Sequence, residues 1–330
     1  MAKARATTGQ RRSAPSRAVA TSAPVGAHRK RAETPGPRGA TPATQRRQPA
    51  GKRPRRRAGA RSALLIWGTI AAVVIVVAVV VALGQTGKSA PKASAGYRPE
   101  AVPASILQET THVPASSYDK VGISGAVTPP SVVSTQPPLL IGGKPGVFVL
   151  DGEFCPYCAA ERWAVVTALS RFGSFTGLKT MESSPLDVHP STQTFEFATA
   201  RYSSSYITAK LLEMYGQEQP TGRRPVIRKP TRIEARLMRK YDANSSVPFF
   251  DVGNKVMFSG SSYTPGVLAG LSRATIAAGL SHPSNPVTQL ILGGANDLSA
   301  SICSVDGGEP KAVCSSAGVK AAARALGLRR

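Results

Sequence analysis

Gly146-Val-Phe-Val-Leu-Asp-Gly-Glu-Phe-Cys-Pro-Tyr-Cys-Ala-Ala-Glu-Arg-Trp163 changes its hydrophobic period around a pair of cysteines. The apolar run from Val147 to Leu150 reads as a buried strand, and it breaks at Asp151-Gly152. Beyond Cys158, the residues Ala159, Trp163, Val166 and Leu169 recur at spacings of three and four, which is helical. Pro156 suits a first helical turn, where its missing N–H costs nothing. Cys155 is therefore expected at a strand-to-helix junction, exposed at the helix N-terminus, with Cys158 one turn further in.

That placement has chemical consequences. Unpaired N–H groups and the positive end of the helix dipole favour a thiolate at Cys155. Cysteines so placed have pKa values lowered from about 8.5 into the range of roughly 3.5–7.5. The thiol then becomes a better nucleophile and leaving group near neutral pH, and Cys158 stands where it can resolve a mixed disulfide. Glu153 works against this if its carboxylate lies close. Two other readings of the pair stay open: half of a zinc site, or a structural disulfide that never turns over. A tetrahedral zinc site calls for a second pair at similarly tight spacing, and Cys303 and Cys314 are too far apart to supply it. No metal and no cofactor is expected.

The formal charge of +24 is unevenly spread over the 330 residues. Residues 1–62 hold seventeen Lys or Arg against a single acid, Glu33, with almost no large apolar side chains. Such a segment cannot bury enough surface to offset its ordering entropy and reads as a disordered basic tail. It has no aromatic residue to stack on bases, which argues against nucleic acid as a partner.

The run from Ala63 to Gly84 contains no charge. At 1.5 Å rise per residue, about twenty residues cross a hydrocarbon core of about 30 Å. Ala93-Ser94-Ala95 resembles a signal-peptide cleavage site, but the run exceeds the usual apolar region of about 7–15 residues, which favours an uncleaved anchor. Lys52, Arg53, Arg55, Arg56, Arg57 and Arg61 precede it, while basic residues are sparse after it. The charge asymmetry predicts a single-pass protein of the cell membrane, its N-terminus cytoplasmic and its remainder outside. Four cysteines, all beyond residue 150, suit an oxidising compartment.

Residues 85–140 read as an extracytoplasmic linker rich in Pro, Ser, Thr and Gly, with Ser105-Ile-Leu107 able to pack on a domain spanning 141–330. Beyond the cysteine helix, strands are expected at Leu178–Met181 and Thr194–Thr199, with a loop from Ser183 to Pro190 between them. Tyr206, Ile207, Leu211 and Met214 suggest one helical face, and Ile233, Leu237 and Tyr241 a second. Together these helices look like an insertion. Val247–Val252, Gly253-Asn254 and Lys255–Ser259 read as a hairpin. Pro248 at the start of an interior strand is explained either by an edge position or by a cis Val247–Pro248 bond beside the cysteines. Thr264–Leu280 reads as a helix opening on a Thr-Pro cap. Cys303 and Cys314 flank a turn-rich loop and are expected as a structural disulfide, with a relay exchanging electrons with Cys155 and Cys158 as the alternative. A basic, Ala-rich helix ends the chain.

Over roughly 140–285 the chain resembles the thioredoxin-like superfamily. Phe148-Val-Leu-Asp-Gly-Glu-Phe-Cys155-Pro-Tyr-Cys158 and, some ninety residues later, Val247-Pro248-Phe-Phe-Asp carry that resemblance. More narrowly it is similar to a membrane-anchored thioredoxin-like family catalogued as a domain of unknown function. Ser183-Ser184, Asp187-x-x-Pro190, Thr194-Phe-Glu-Phe197, Tyr202-x-Ser-x-x-Tyr-Ile207 and the terminal Ile302-Cys303 and Val313-Cys314 carry the narrower match. The resemblance implies a thioredoxin-like α/β fold in which Cys155 attacks, Cys158 resolves, and Val247-Pro248 binds substrate. The sequence departs from the superfamily in lacking Trp before the first cysteine and in its C-terminal cysteine pair.

The function expected from these readings is thiol–disulfide exchange, oxidising or isomerising exported thiol or disulfide proteins, with a membrane or soluble redox partner that the sequence does not name. A second expectation is a non-catalytic binding module with permanently bridged cysteines and a basic loop at Arg223, Arg224, Arg228 and Lys229.

Overall fold

In a computed structural model the described residues are 99–133, 137–242 and 244–328. The first elements are β1 (Glu100–Ala101), α1 (Ala104–Thr111) and α2 (Ala115–Val121). Short strands β2 (Ser131–Val132) and β3 (Leu140–Ile141) precede β4 (Lys144–Gly152) and the helix α3 (Pro156–Leu169). Next come β5 (Ser174–Thr176), β6 (Lys179–Glu182), β7 (Gln193–Glu196), β8 (Arg201–Ser203) and β9 (Thr208–Tyr215). Helix α4 (Arg232–Tyr241) leads to β10 (Phe249–Val252) and β11 (Val256–Ser259). Helices α5 (Arg273–Gly279), α6 (Pro286–Cys303), α7 (Lys311–Cys314) and α8 (Ala317–Ala325) complete the chain.

The architecture is α/β around one mixed sheet. Its order is β2-β11-β10-β4, with β9 on the other side of β4 and β3 pairing only the start of β4. Strand β9 runs parallel to β4, in register from Gly146 with Thr208 to Asp151 with Glu213, and β10 runs antiparallel to β4. A three-stranded sheet, β1-β6-β7, and a ribbon of β5 with β8 flank this unit.

β4 is buried on both faces, so its side chains alternate between two apolar layers rather than between core and water. Val147 and Val149 join Trp163, Val166, Phe195, Phe250 and Ile291 in the larger core, under α3 and α6. Phe148 and Leu150 join Leu212, Met214, Leu237 and Phe249 in the smaller one, which α4 covers. α4 is fixed at its start by a capping box between Thr231 and Glu234. Its Ile233, expected on the buried face, is exposed.

The stretch expected as a first inserted helix, 206–214, is instead β9. Ile207, Ala209 and Leu211 face the larger core while Leu212 and Met214 face the smaller. A strand with two buried faces loses its polar alternation, and its apolar positions then mimic a helical stripe. The supposed insertion therefore contributes the strand that pairs with β4 on the side away from β10, and α4 is the helix that remains of it.

Residues 264–280 do not form one helix. A 3-10 turn at Pro265–Leu268 is separated from α5 by Gly270, whose φ is +74°. Ser272 then caps α5 by accepting from the Thr275 N–H. In the segment expected as a linker, α1 and α2 pack on the core through Ile106 and Tyr118. The two flanking strands start one residue away from their expected positions, at Lys179 and Gln193. In the hairpin, Gly253 and Asn254 both have positive φ, as a type I′ turn requires. The basic tail 1–62 and the span expected at 63–84 lie outside the described residues. Among those described, no helix is long and apolar enough to cross a membrane.

Candidate active site

β4 ends at Gly152, and Glu153 and Phe154 carry the chain into α3, with the Cys155 N–H donating back to the Gly152 carbonyl at 3.3 Å. Cys155 is the N-cap residue of α3, in extended conformation, and Pro156 opens the helix. The cap is a sulfur: Cys155 Sγ accepts from the Cys158 N–H at 3.3 Å. Such a bond satisfies one of the orphan amides of the first turn and favours the thiolate. Cys155 is not exposed as the junction geometry suggests; only 5% of it reaches solvent, because Phe154, Tyr215 and Val247 pack round it. Cys158 is fully buried.

The two thiols are pushed in opposite directions. The hydrogen bond from the Cys158 side chain is the largest influence lowering the Cys155 pKa, helped by the Cys158 amide and opposed by burial and by Asp151. Cys158 is driven well above the ordinary thiol value by burial, by its bond to Cys155 and by the nearby Asp151. The helix end alone does not account for the bias; the partner thiol does more. Because the groups interact, the pair releases protons in two shared steps, with Cys155 carrying most of the first.

The Val247–Pro248 peptide is cis, and the Val247 carbonyl oxygen lies 3.6 Å from Cys155 Sγ. The loop before it is fixed by Asp242, whose carbonyl accepts from the Ser245 N–H and whose carboxylate accepts from the Ser246 N–H. The Val247 N–H donates to none of the described residues. A cavity of about 430 Å³ opens beside the sulfur, lined by Phe154, Tyr215, Arg224, Ser246 and Val247 along with Cys155.

Beneath the cysteines lies a buried ionic network that the sequence reading did not identify. Arg162, on α3 and wholly buried, donates to Asp151 at 2.9 Å, to Glu213 on β9, and to the carbonyls of Gly152 and Phe195. Glu213 also accepts from the Phe197 and Ala198 N–H groups. Burial works against the Arg162 charge, but Asp151 and Glu213 outweigh it and hold the guanidinium protonated. Burial raises Glu213, while Arg162 draws it down. A signal was present: Glu161-Arg162 is a charged pair inside a helix whose other inner positions are apolar or small, and such a pair is tolerated only with partners. Glu161 finds its partner in Ser262, accepting from the N–H and the hydroxyl at 2.6 and 2.9 Å. Burial pushes its carboxyl up to about 7.

Of the basic loop, Arg228 forms a two-pronged pair with Glu234 at 2.8 and 3.0 Å, and Arg224 lies 3.8 Å above the Phe154 ring. Burial raises the Glu153 carboxyl, and its oxygen accepts from the Gln217 N–H. Glu153, Glu196 and Glu213 bring carboxylate oxygens within 4.8 Å of one another. They are committed elsewhere, Glu196 to Thr199 and the others as described, and the cluster does not have the character of a metal site. His189 stands edge-on to Tyr157 of the motif, at 6.0 Å between ring centroids.

Cys303 and Cys314 are disulfide-bonded, with their Cα atoms 5.6 Å apart. The bond lies at the far end of the sheet: Lys255 Nζ donates to the Ser304 carbonyl, and Val305 packs against Gly253, which pairs with Gly146 at the start of β4. Cys155 follows the other end of that strand. Six strand residues place the two pairs on the order of 20 Å apart, so a relay would need the C-terminal segment to leave its packed position.

The model of a family described as a domain of unknown function (DUF929) matches residues 131–304 of the 330. No curated protein and no solved structure matches the chain.

Proposed function

This chain belongs to the DUF929 family, and we propose for it thiol–disulfide exchange at Cys155 and Cys158 in a thioredoxin-like domain. The observation that carries the reading is the setting of Cys155 Sγ. It caps a helix, accepts from the Cys158 N–H, and lies 3.6 Å from the Val247 carbonyl at a cis peptide. The order β11-β10-β4-β9, with β9 parallel and α3 between β4 and β9, supports the thioredoxin-like assignment.

Only Cys155 meets solvent, which sets the order of events. In the isomerising direction its thiolate attacks a substrate disulfide, forming an S–S bond to one substrate sulfur and expelling the other as thiolate. That thiolate then attacks a different disulfide of the substrate, and a final substrate thiolate displaces Cys155. No net electrons are exchanged. In the oxidising direction the protein enters with Cys155 and Cys158 bridged. A substrate thiolate attacks Cys155 and releases Cys158 as thiolate, and a second substrate thiolate displaces Cys155. The substrate loses two electrons, and a partner disulfide must take them from the reduced pair. The placement of this domain outside the membrane rests on the apolar run 63–84 and the charge asymmetry about it.

The test is trapping. Cys158→Ser accumulates a substrate mixed disulfide on Cys155, visible as a reductant-sensitive band, and Cys155→Ser forms none. Full turnover by Cys155→Ser would rule out the mechanism.

A further inference from the structure

Arg224 stands at the rim of the cavity that contains Cys155, and its arrangement is that of a recognition group. Its guanidinium is stacked on the Phe154 ring, next in sequence to the reactive cysteine. Nη2 reaches Glu218 at 3.4 Å and Asp187 at 4.0 Å. These are long contacts to partly exposed partners, and such pairs are weak. They hold one corner of the plane. Nε and Nη1 donate to none of the described residues, and the side chain is 42% exposed. A guanidinium held against an aromatic face, with its Nε–H and Nη1 N–H groups unused, is preorganised to donate to a further carboxylate.

The cleft also fixes where that carboxylate would come from. Val247 offers an N–H with no described partner and a carbonyl already beside Cys155 Sγ. A substrate strand laid along Val247 places its cysteine on Cys155 and the side chains of its neighbours over the cavity. At about 3.3 Å per residue, a group near Phe154 and Arg224 belongs to a residue within about two positions of that cysteine.

We propose that Arg224 is a specificity-determining residue that favours peptide disulfides carrying a carboxylate, from Asp, Glu or the chain end, within about two residues of the attacked cysteine. The proposal rests on thiol–disulfide exchange at Cys155. In the step concerned, the Cys155 thiolate attacks the peptide disulfide and expels one peptide thiolate. Cys158 then attacks Cys155, freeing the second peptide sulfur. The protein dithiol supplies both electrons and ends as the Cys155–Cys158 disulfide.

The experiment uses the full chain, reduced and held in detergent micelles, in single turnover with short peptide disulfides that differ only in Asp, Asn or Leu beside the cysteine. Acid-quenched samples are resolved by chromatography. A free small thiol serves as the reference for each peptide's intrinsic reactivity. After that correction the Asp peptide reacts about tenfold faster than the Asn peptide, the size expected of a hydrogen-bonded charge. Arg224→Gln brings the ratio to about one, and Arg224→Lys leaves an intermediate value. The ratio is its own control, because a variant that is merely less well folded slows both peptides alike and keeps it. A ratio of about one in the unaltered protein, one that survives Arg224→Gln, or a preference for the Leu peptide overturns the proposal and leaves exchange standing. If no peptide reacts at all, exchange fails and the proposal with it.

Discussion

Replacing Arg162 by Met removes a buried cation and leaves its volume nearly filled, so the cavity contribution is small. What remains is the ionic loss. Asp151 and Glu213 stay in the interior with no counter-charge, and the carbonyls of Gly152 and Phe195 lose a donor. Breaking a buried pair by deleting one partner costs about 3–5 kcal/mol. For a unit the size of Gln85–Arg330, each kcal/mol lowers Tm by about 2–4 °C, which gives roughly 6–20 °C in all. The loss has a pH signature. Burial already raises Glu213 and Arg162 opposes that rise, so the variant holds a proton on Glu213 more tightly than the unfolded chain does. A carboxyl raised in the folded state contributes stability at low pH that disappears as pH climbs through its folded pKa. The deficit of Arg162→Met is therefore larger at pH 8 than at pH 5. Urea unfolding of the 85–330 unit at both values, with m-values compared, measures it. A deficit below about 1 kcal/mol, or one equal at the two pH values, would refute the assignment of Arg162 as the charge that holds this network.

Three further outcomes are expected. The rate of Cys155 alkylation should rise with pH to a midpoint below the ordinary thiol value, and Cys158→Ala, which removes the thiol donor, should move that midpoint up. Removing Cys303 and Cys314 together should lower stability by about 2–3 kcal/mol, the entropy of a loop with an eleven-residue separation, while leaving the titration of Cys155 and Cys158 in place. Glu161 and Asp297 are each raised to about 7 by burial, so stability should fall between pH 5 and 8, and Glu161→Gln should flatten part of that fall in a series of urea midpoints.

The strand-to-helix junction was legible because Val147–Leu150 and the residues beyond Cys158 have distinct periods, and because Pro156 marks the first turn. The hairpin was legible from Gly253-Asn254 alone. β9 was not, because partners on both faces erase the alternation that identifies a strand. The break at Gly270 was hidden by apolar residues that continue on either side of it. For the proposed site, Cys155 and Cys158 could be named from their spacing at the strand-to-helix junction, and Val247–Pro248 from a proline at a strand start together with the thioredoxin-like resemblance. That Cys155 is nearly covered could not, since Tyr215 and Val247 reach it from segments some sixty and ninety residues away. The Arg162 network was written in the sequence only as a charge out of place, and its partners on β4 and β9 are fixed by the parallel register.

The most direct test of exchange at Cys155 is a redox titration of the 85–330 unit in graded glutathione buffers, with alkylation and peptide mapping that report the two cysteine pairs separately. Exchange predicts that Cys155 and Cys158 open together between about −120 and −230 mV while Cys303–Cys314 stays bridged. A Cys155–Cys158 bond that remains closed down to about −300 mV would contradict it, and would leave a cleft that binds without reacting.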